Sequence, residues 1–170
     1  GKSINEVLNK ALLTSNSHCL VMSIGHFIQS PKFFEYMNDW VNKVDFFITG
    51  HIIDRDSGNS QENSDNHYYG LHKQCLLVNL KYYKEFEKPE WGINVKDSGM
   101  PEKVAVAQRA SEDIHDDYTP LSLRPTEELT VCTPLVDGWN FINVSLENDL
   151  TVYNFHPKIR ESKQYIYPSQ

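Results

Sequence analysis

Two aspartates spaced two apart, Asp54 and Asp56, are the side chains best suited by type and spacing to bind a divalent cation. They follow the apolar run 44–53 and precede the polar run 57–66, which predicts an acidic turn at the end of a strand. Mg²⁺ and Mn²⁺ prefer oxygen ligands and often share them with substrate phosphates. The alternative is a solvated turn whose aspartates bond to nearby backbone amides. His51 is interpreted as orienting one carboxylate, or as an ordinary half-buried strand histidine.

A second group of polar and aromatic side chains follows the polar run, at His67, Tyr69 and His72. Aromatic rings beside hydrogen-bonding groups suit the binding of a sugar or a base, so we assign these residues to substrate binding. The alternative is a packing patch where the next strand begins. The run 57–66 has no hydrophobic periodicity and is predicted to be a mobile loop that can close over a substrate.

A second acidic cluster, residues 111–118, contains Asp116 and Asp117. Either carboxylate could act as a general base or stabilise positive charge that develops at a sugar carbon, so both are catalytic candidates. His115, which directly precedes them, could alternatively bind metal. The other interpretation is the start of a helix, where acidic side chains are favoured by the helix dipole.

His156 directly follows the last apolar segment of the chain, and Pro157 prevents further strand pairing there. Facing the same cleft as the two aspartates, His156 would be a third metal ligand. Lys158 comes next and could contact phosphates. The alternative is a surface histidine and surface bases without a role.

The elements that must position these residues begin with an apolar run at 19–24, a helix that starts at Ser30-Pro31, and a second apolar run at 44–53. Strand, helix and strand in this order predict a right-handed crossover between parallel strands. Ligands bind beyond the carboxyl ends of such strands, where Asp54 stands. We therefore predict a single α/β domain spanning residues 1–170. Its fold would be a three-layer Rossmann-like sandwich with a mostly parallel central sheet and flanking helices.

Other local signals predict the remaining helices and strands. Ser3 is predicted to cap a first helix, and Asn79 to cap a helix over residues 80–86 after a strand at 75–78. Short strands are predicted near 104–107 and 129–132, and a last strand at 150–155. Helix 31–43 is predicted to bury one apolar stripe, formed by Phe33, Phe34, Met37, Trp40 and Val41.

Composition narrows the classes of function. The chain has 170 residues and a net charge of −7, which argues against nucleic acid as a partner, because phosphate binding needs a basic surface. Three widely spaced cysteines form neither a disulfide framework nor a zinc motif, and reduced thiols fit a cytoplasmic protein. No apolar stretch approaches the length of a membrane span.

The order of these pieces resembles that of GT-A fold glycosyltransferases, especially glycogenin-like enzymes and bacterial lipopolysaccharide galactosyltransferases. The resemblance covers roughly residues 44–156 and rests on Asp54-x-Asp56, on the strand that runs into QCLLVNLKYY at 74–83, on the acidic cluster and on the late His156. It implies that Asp54, Asp56 and His156 hold Mn²⁺ or Mg²⁺ on the diphosphate of a nucleotide-sugar. It also places Asn79 near the sugar.

The leading hypothesis is therefore a metal-dependent transferase that moves a sugar from a nucleotide-sugar to an unknown acceptor. A non-catalytic protein-interaction domain is the second hypothesis, in which the acidic residues are solvated and the aromatic residues contact a partner. A metal-dependent hydrolase is the third, although the chain has no H-x-H or H-E-x-x-H spacing.

Overall fold

The computed structural model describes residues 3–24, 28, 31–56, 67–92, 107–109, 122–125 and 138–154. These residues contain four helices, α1 (Ile4–Ala11), α2 (Lys32–Lys43), α3 (Leu80–Glu85) and α4 (Trp139–Glu147). They also contain six strands, β1 (His18–Met22), β2 (Ile48–Asp56), β3 (His67–Asn79), β4 (Ala107–Arg109), β5 (Ser122–Pro125) and β6 (Val152–Asn154).

The six strands form one mixed sheet in the order β1-β3-β2-β6-β5-β4. Only the β2–β6 pair is parallel, and the other four pairings are antiparallel. The predicted mostly parallel, Rossmann-like sheet is therefore wrong. The reason is the position of β3: it lies between β1 and β2 and runs antiparallel to both. β1 and β2 consequently point in the same direction without being neighbours.

Side chains of the sheet pack into two apolar cores, one on each face. Successive residues of β3 alternate between them, so that Leu76 belongs to the first core and Leu77 to the second. The first core also holds helices α1, α3 and α4, whereas the second holds α2. The helical members of the first core are Leu8, Leu80, Tyr83, Trp139, Phe141, Ile142 and Leu146, and those of the second are Phe33 and Trp40.

Two predicted helix caps are confirmed. The amide of Glu6 donates to the Ser3 hydroxyl at 3.2 Å, and the amide of Lys81 donates to the Asn79 side chain at 3.0 Å. Each bond satisfies one of the amides that a helix start leaves without an intrahelical partner. The predicted buried stripe of α2 is wrong at Phe34, which is 56% exposed.

A side-chain network ties α1 to the segment after α3. Asn5 donates to the carbonyl of Pro89 at 2.8 Å and to the Tyr83 hydroxyl at 3.1 Å, and it accepts from the amide of Trp91 at 2.9 Å. Asn140 of α4 holds the same segment by donating to the carbonyl of Glu90 at 2.6 Å. Segment 89–91 is thereby fixed across the first core, which places the Trp91 ring against Phe141.

Candidate functional site

The acidic pair lies inside a strand. β2 continues through Asp56, so the predicted turn at residues 54–56 is wrong. The backbone register pairs Asp54 with Tyr69 and Asp56 with His67. The apolar run ends near Ile53, but pairing with β3 continues for three more residues, because a polar sequence can also extend a two-stranded ribbon. We call the paired segments 52–56 and 67–71 the acidic ribbon.

The register brings four of the predicted site residues together. Positions two apart on a strand share a face of the sheet, and directly opposed positions of an antiparallel pair share a face as well. Positions 54, 56, 67 and 69 are related in this way, with Cα atoms of opposed residues about 4.5–5.5 Å apart. The metal candidates Asp54 and Asp56 are thus next to the substrate candidates His67 and Tyr69.

The acidic ribbon starts at a large bulge in β3. Gly50 pairs with Leu76 and Ile52 with Leu71, so that His51 alone stands opposite residues 72–75. A Cβ atom at position 50 would come 2.7 Å from Leu76 Cδ2 and 3.2 Å from the carbonyl oxygen of Cys75, so a larger residue there would displace the Leu76 side chain. Bulges are common beside functional sites, where they redirect side chains.

Ser23, the residue after β1, holds the other side of this bulge. The amide of Ser23 donates to the carbonyl of Gln74 at 3.1 Å, and its hydroxyl donates to the carbonyl of Lys73 at 2.8 Å. Both bonds hold the backbone of the bulged residues 72–75. The bulge is therefore a defined feature of the sheet.

Two imidazoles meet at the bulge. The rings of His51 and His72 have centroids 5.2 Å apart and planes inclined by 32°. Both residues are half-buried. His72 was assigned to substrate binding and His51 to the orientation of a carboxylate. The structure shows that each has the other as a ring neighbour, which sequence spacing alone could not reveal.

Two buried polar side chains form hydrogen bonds between the end of β6 and the same part of β2. The amide of Ile52 donates to the Asn154 side chain at 3.1 Å, and the Thr49 hydroxyl donates to the carbonyl of Tyr153 at 2.8 Å. Thr49 and Asn154 are almost fully buried. Sequence reasoning missed both residues. The available signal was a polar side chain within each otherwise apolar strand.

The predicted site residues other than the two imidazoles divide into three groups. Tyr69 is 2% exposed and packs in the first core, and the Asn79 side chain caps α3. The backbone of Asp54, Asp56 and His67 is described but their side chains are not. Four residues lie outside the described residues, and their roles stay predictions, as does the mobile loop at 57–66: Asp116, Asp117, His156 and Lys158.

Within the described ranges, no group of three or more histidine, cysteine, aspartate or glutamate side chains is arranged to hold a metal ion. The same part of the chain has no helix long and apolar enough to cross a membrane.

The thiol of Cys75, the last residue of the bulge, is a poor nucleophile. Burial raises the pKa of the Cys75 thiol from its ordinary value of 9.0 to about 12. Burial also raises the pKa of the Cys19 thiol on the neighbouring strand. Both are free thiols, but thiolate is the reactive form, so neither is a good nucleophile in the folded chain.

We expect Cys75 to resist alkylation by iodoacetamide at pH 8 until the chain unfolds. Because the folded state keeps this proton and the unfolded state releases it, the folding stability should fall as the pH rises between about 9 and about 12. Peptide mass spectrometry after alkylation in buffer and in denaturant measures the first effect. A Cys75→Ala variant should show a flatter alkaline stability profile. Rapid labelling of Cys75 in native buffer would contradict its burial.

Comparison with protein-family models, with curated proteins and with solved structures found no match to this chain.

Proposed function

We propose that this chain is a metal-dependent transferase that acts on a nucleotide-sugar, and that the acidic ribbon holds the metal. The observation that carries the proposal is the register of β2 and β3. It sets Asp54 and Asp56 on one face of a two-stranded ribbon, opposite Tyr69 and His67. The mixed sheet removes the GT-A fold as an argument, so the proposal rests on this local arrangement and on the order of motifs along the sequence.

The residue types fit Mn²⁺ or Mg²⁺. Carboxylates two apart on a strand supply hard oxygen ligands, and such ions usually complete their coordination with water and substrate phosphates. The bound cation would serve as a Lewis acid for the leaving diphosphate. In this proposal His156 is the third protein ligand, and Lys158 adds positive charge for the phosphates.

The other candidates complete the proposed site. His67, next to Asp56 in the register, would contact the sugar or the base. Asp116 or Asp117 would accept the proton of the acceptor hydroxyl during transfer. The acceptor would supply this hydroxyl, and the nucleoside diphosphate would leave.

A non-catalytic interaction domain is the second candidate, and one observation favours it. Ile24, which follows β1, is 97% exposed, and Phe34 of α2 is 56% exposed. Exposed apolar side chains of this size are typical of surfaces that bind another protein, although single ones are also common on monomers. This candidate needs no metal and predicts that the aspartates of the acidic ribbon are dispensable.

Thermal unfolding with Mn²⁺ and a panel of nucleoside diphosphates tests the proposal. A ligand that binds only the folded state raises the melting temperature, so we expect Mn²⁺ with at least one nucleotide to do so. The double variant Asp54→Asn, Asp56→Asn should lose this shift.

Asp39→Asn is the matched control. Asp39 forms an exposed ion pair with Lys43 on α2, at 3.3 Å, and such pairs contribute little to stability. The control should keep the shift seen with the unaltered chain. Absence of a shift with every nucleotide, or an equal shift in the double variant, would overturn the proposal. Release of free sugar from a donor without an acceptor would indicate a hydrolase instead.

A further inference from the structure

We propose that His51 and His72 form a second metal site, for a borderline transition-metal ion such as Zn²⁺. The two imidazoles come from neighbouring strands and meet at the β3 bulge. This proposal does not depend on sugar transfer, because it uses different residues and a different class of ion from the acidic ribbon.

The distance between the two imidazole rings fits a shared metal ion. Their centroids lie 5.2 Å apart. An ion about 2 Å from one nitrogen of each of two imidazoles, at a tetrahedral angle, holds the two centroids about 5 Å apart. The observed separation therefore suits two rings that share one ion. Simple ring stacking is the competing explanation, and the experiment below separates the two.

The backbone around the bulge positions His51 and His72 next to each other. His51 is the one residue of β2 that stands opposite the bulged residues 72–75, and the bulge is fixed from the other side by Ser23. The paired strand β2 and the bonds from Ser23 limit the backbone positions that the two ring-bearing residues can adopt. Such preorganisation strengthens a site that has only two protein ligands, because little conformational freedom is lost on binding.

The ligand type indicates which class of ion the two histidines would bind. Imidazole nitrogen suits Zn²⁺, Cu²⁺ and Ni²⁺, whereas carboxylate oxygen suits Mg²⁺ and Mn²⁺. Both histidines are half-buried, so solvent can reach the pair and water can complete the coordination. A bound ion would join β2 to β3 at the register shift between Gly50 and Ile52. The expected consequence is a more stable sheet in the presence of Zn²⁺.

Calorimetric titration of the full chain with Zn²⁺ at neutral pH tests this assignment. We expect one saturable site that is lost in His51→Gln and in His72→Gln. His18→Gln is the matched control, because His18 is a strand histidine whose ring contacts Phe46 instead of another imidazole. The control and the Asp54→Asn, Asp56→Asn variant should keep the site.

A spectroscopic measurement on the unaltered chain keeps the test decisive if a variant folds poorly. With one equivalent of Zn²⁺, the ring nitrogen resonances of His51 and His72 should shift together, and those of His18 should stay. Zn²⁺ binding that is unchanged in both glutamine variants would overturn the proposal, as would no saturable site. Loss of the site in the double aspartate variant would also overturn it, since the ion would then belong to the acidic ribbon.

Discussion

Replacing Gly138 with alanine is expected to lower the free energy of unfolding by about 3 kcal/mol, from backbone strain and overpacking together. Gly138 precedes α4 with a φ of +78°, a conformation that side chains with a Cβ atom rarely adopt. A Cβ atom there would come 2.7 Å from Trp91 Cη2 and 2.9 Å from Leu71 Cβ. Neither neighbour can move easily, because Leu71 Cβ is attached to a buried strand and the Trp91 ring is packed in the first core.

Urea unfolding of the variant measures this effect, and Gly92→Ala is its control. A Cβ atom at position 92 would meet nothing within 4 Å. We therefore expect Gly92→Ala to leave the urea midpoint nearly unchanged. Equal midpoints for the two variants would mean that the packing of Trp91 over the start of α4 is wrong.

Replacing Phe141 with alanine is expected to cost about 4 kcal/mol, the usual range for a fully buried phenylalanine. Its ring is fully buried and stacks on Phe47 of the segment before β2, with centroids 5.0 Å apart. It also packs against the Trp91 ring in a T-shaped arrangement, with centroids 5.3 Å apart. The substitution would open a cavity between α4, the sheet and segment 89–91, where surrounding rings cannot collapse fully.

Phe34→Ala is the matched control for Phe141→Ala, since both residues are helical phenylalanines. The Phe34 ring is 56% exposed, so its loss removes far less apolar contact. Urea unfolding should place the Phe34→Ala midpoint well above that of Phe141→Ala. The reverse order would contradict the assignment of α4 to the first core and of Phe34 to the surface.

Local signals in the sequence were sufficient for much of the secondary structure. Ser3 and Asn79 mark the starts of α1 and α3, because a short polar side chain before an apolar-periodic run caps a helix. The apolar runs containing Leu20 and Leu77 became strands, as their apolar character and short length predicted. Signals of this kind depend only on residues close in the chain.

The sheet order was wrong because it depends on pairing between distant segments. Strands with apolar residues on both sides are typical of parallel sheets, but they occur equally in a mixed sheet covered by helices on both faces. Here α2 covers the face that carries Leu77, and α1, α3 and α4 cover the face that carries Leu76. The hydrophobic pattern of the sequence does not indicate that β3 lies between β1 and β2.

The site residues illustrate the same limit. Asp54 and Asp56 were selected by type and spacing, yet their place inside β2 follows from pairing with a polar part of β3. The contact of His51 with His72 arises from the register shift at Gly50, which no local pattern encodes. Polar residues in buried strands, such as Asn154, were the neglected signal: a buried amide side chain needs a partner, and here it is the amide of Ile52.

Nuclear magnetic resonance with substoichiometric Mn²⁺ tests the central claim, that the acidic ribbon holds a divalent cation. A bound paramagnetic ion broadens the signals of the nearest amides first. The account predicts that the amides of residues 54–56 and 67–69 broaden before any others, and that the Asp54→Asn, Asp56→Asn variant loses this effect while Asp39→Asn keeps it. Broadening centred on another part of the chain, or none at all, would contradict the account.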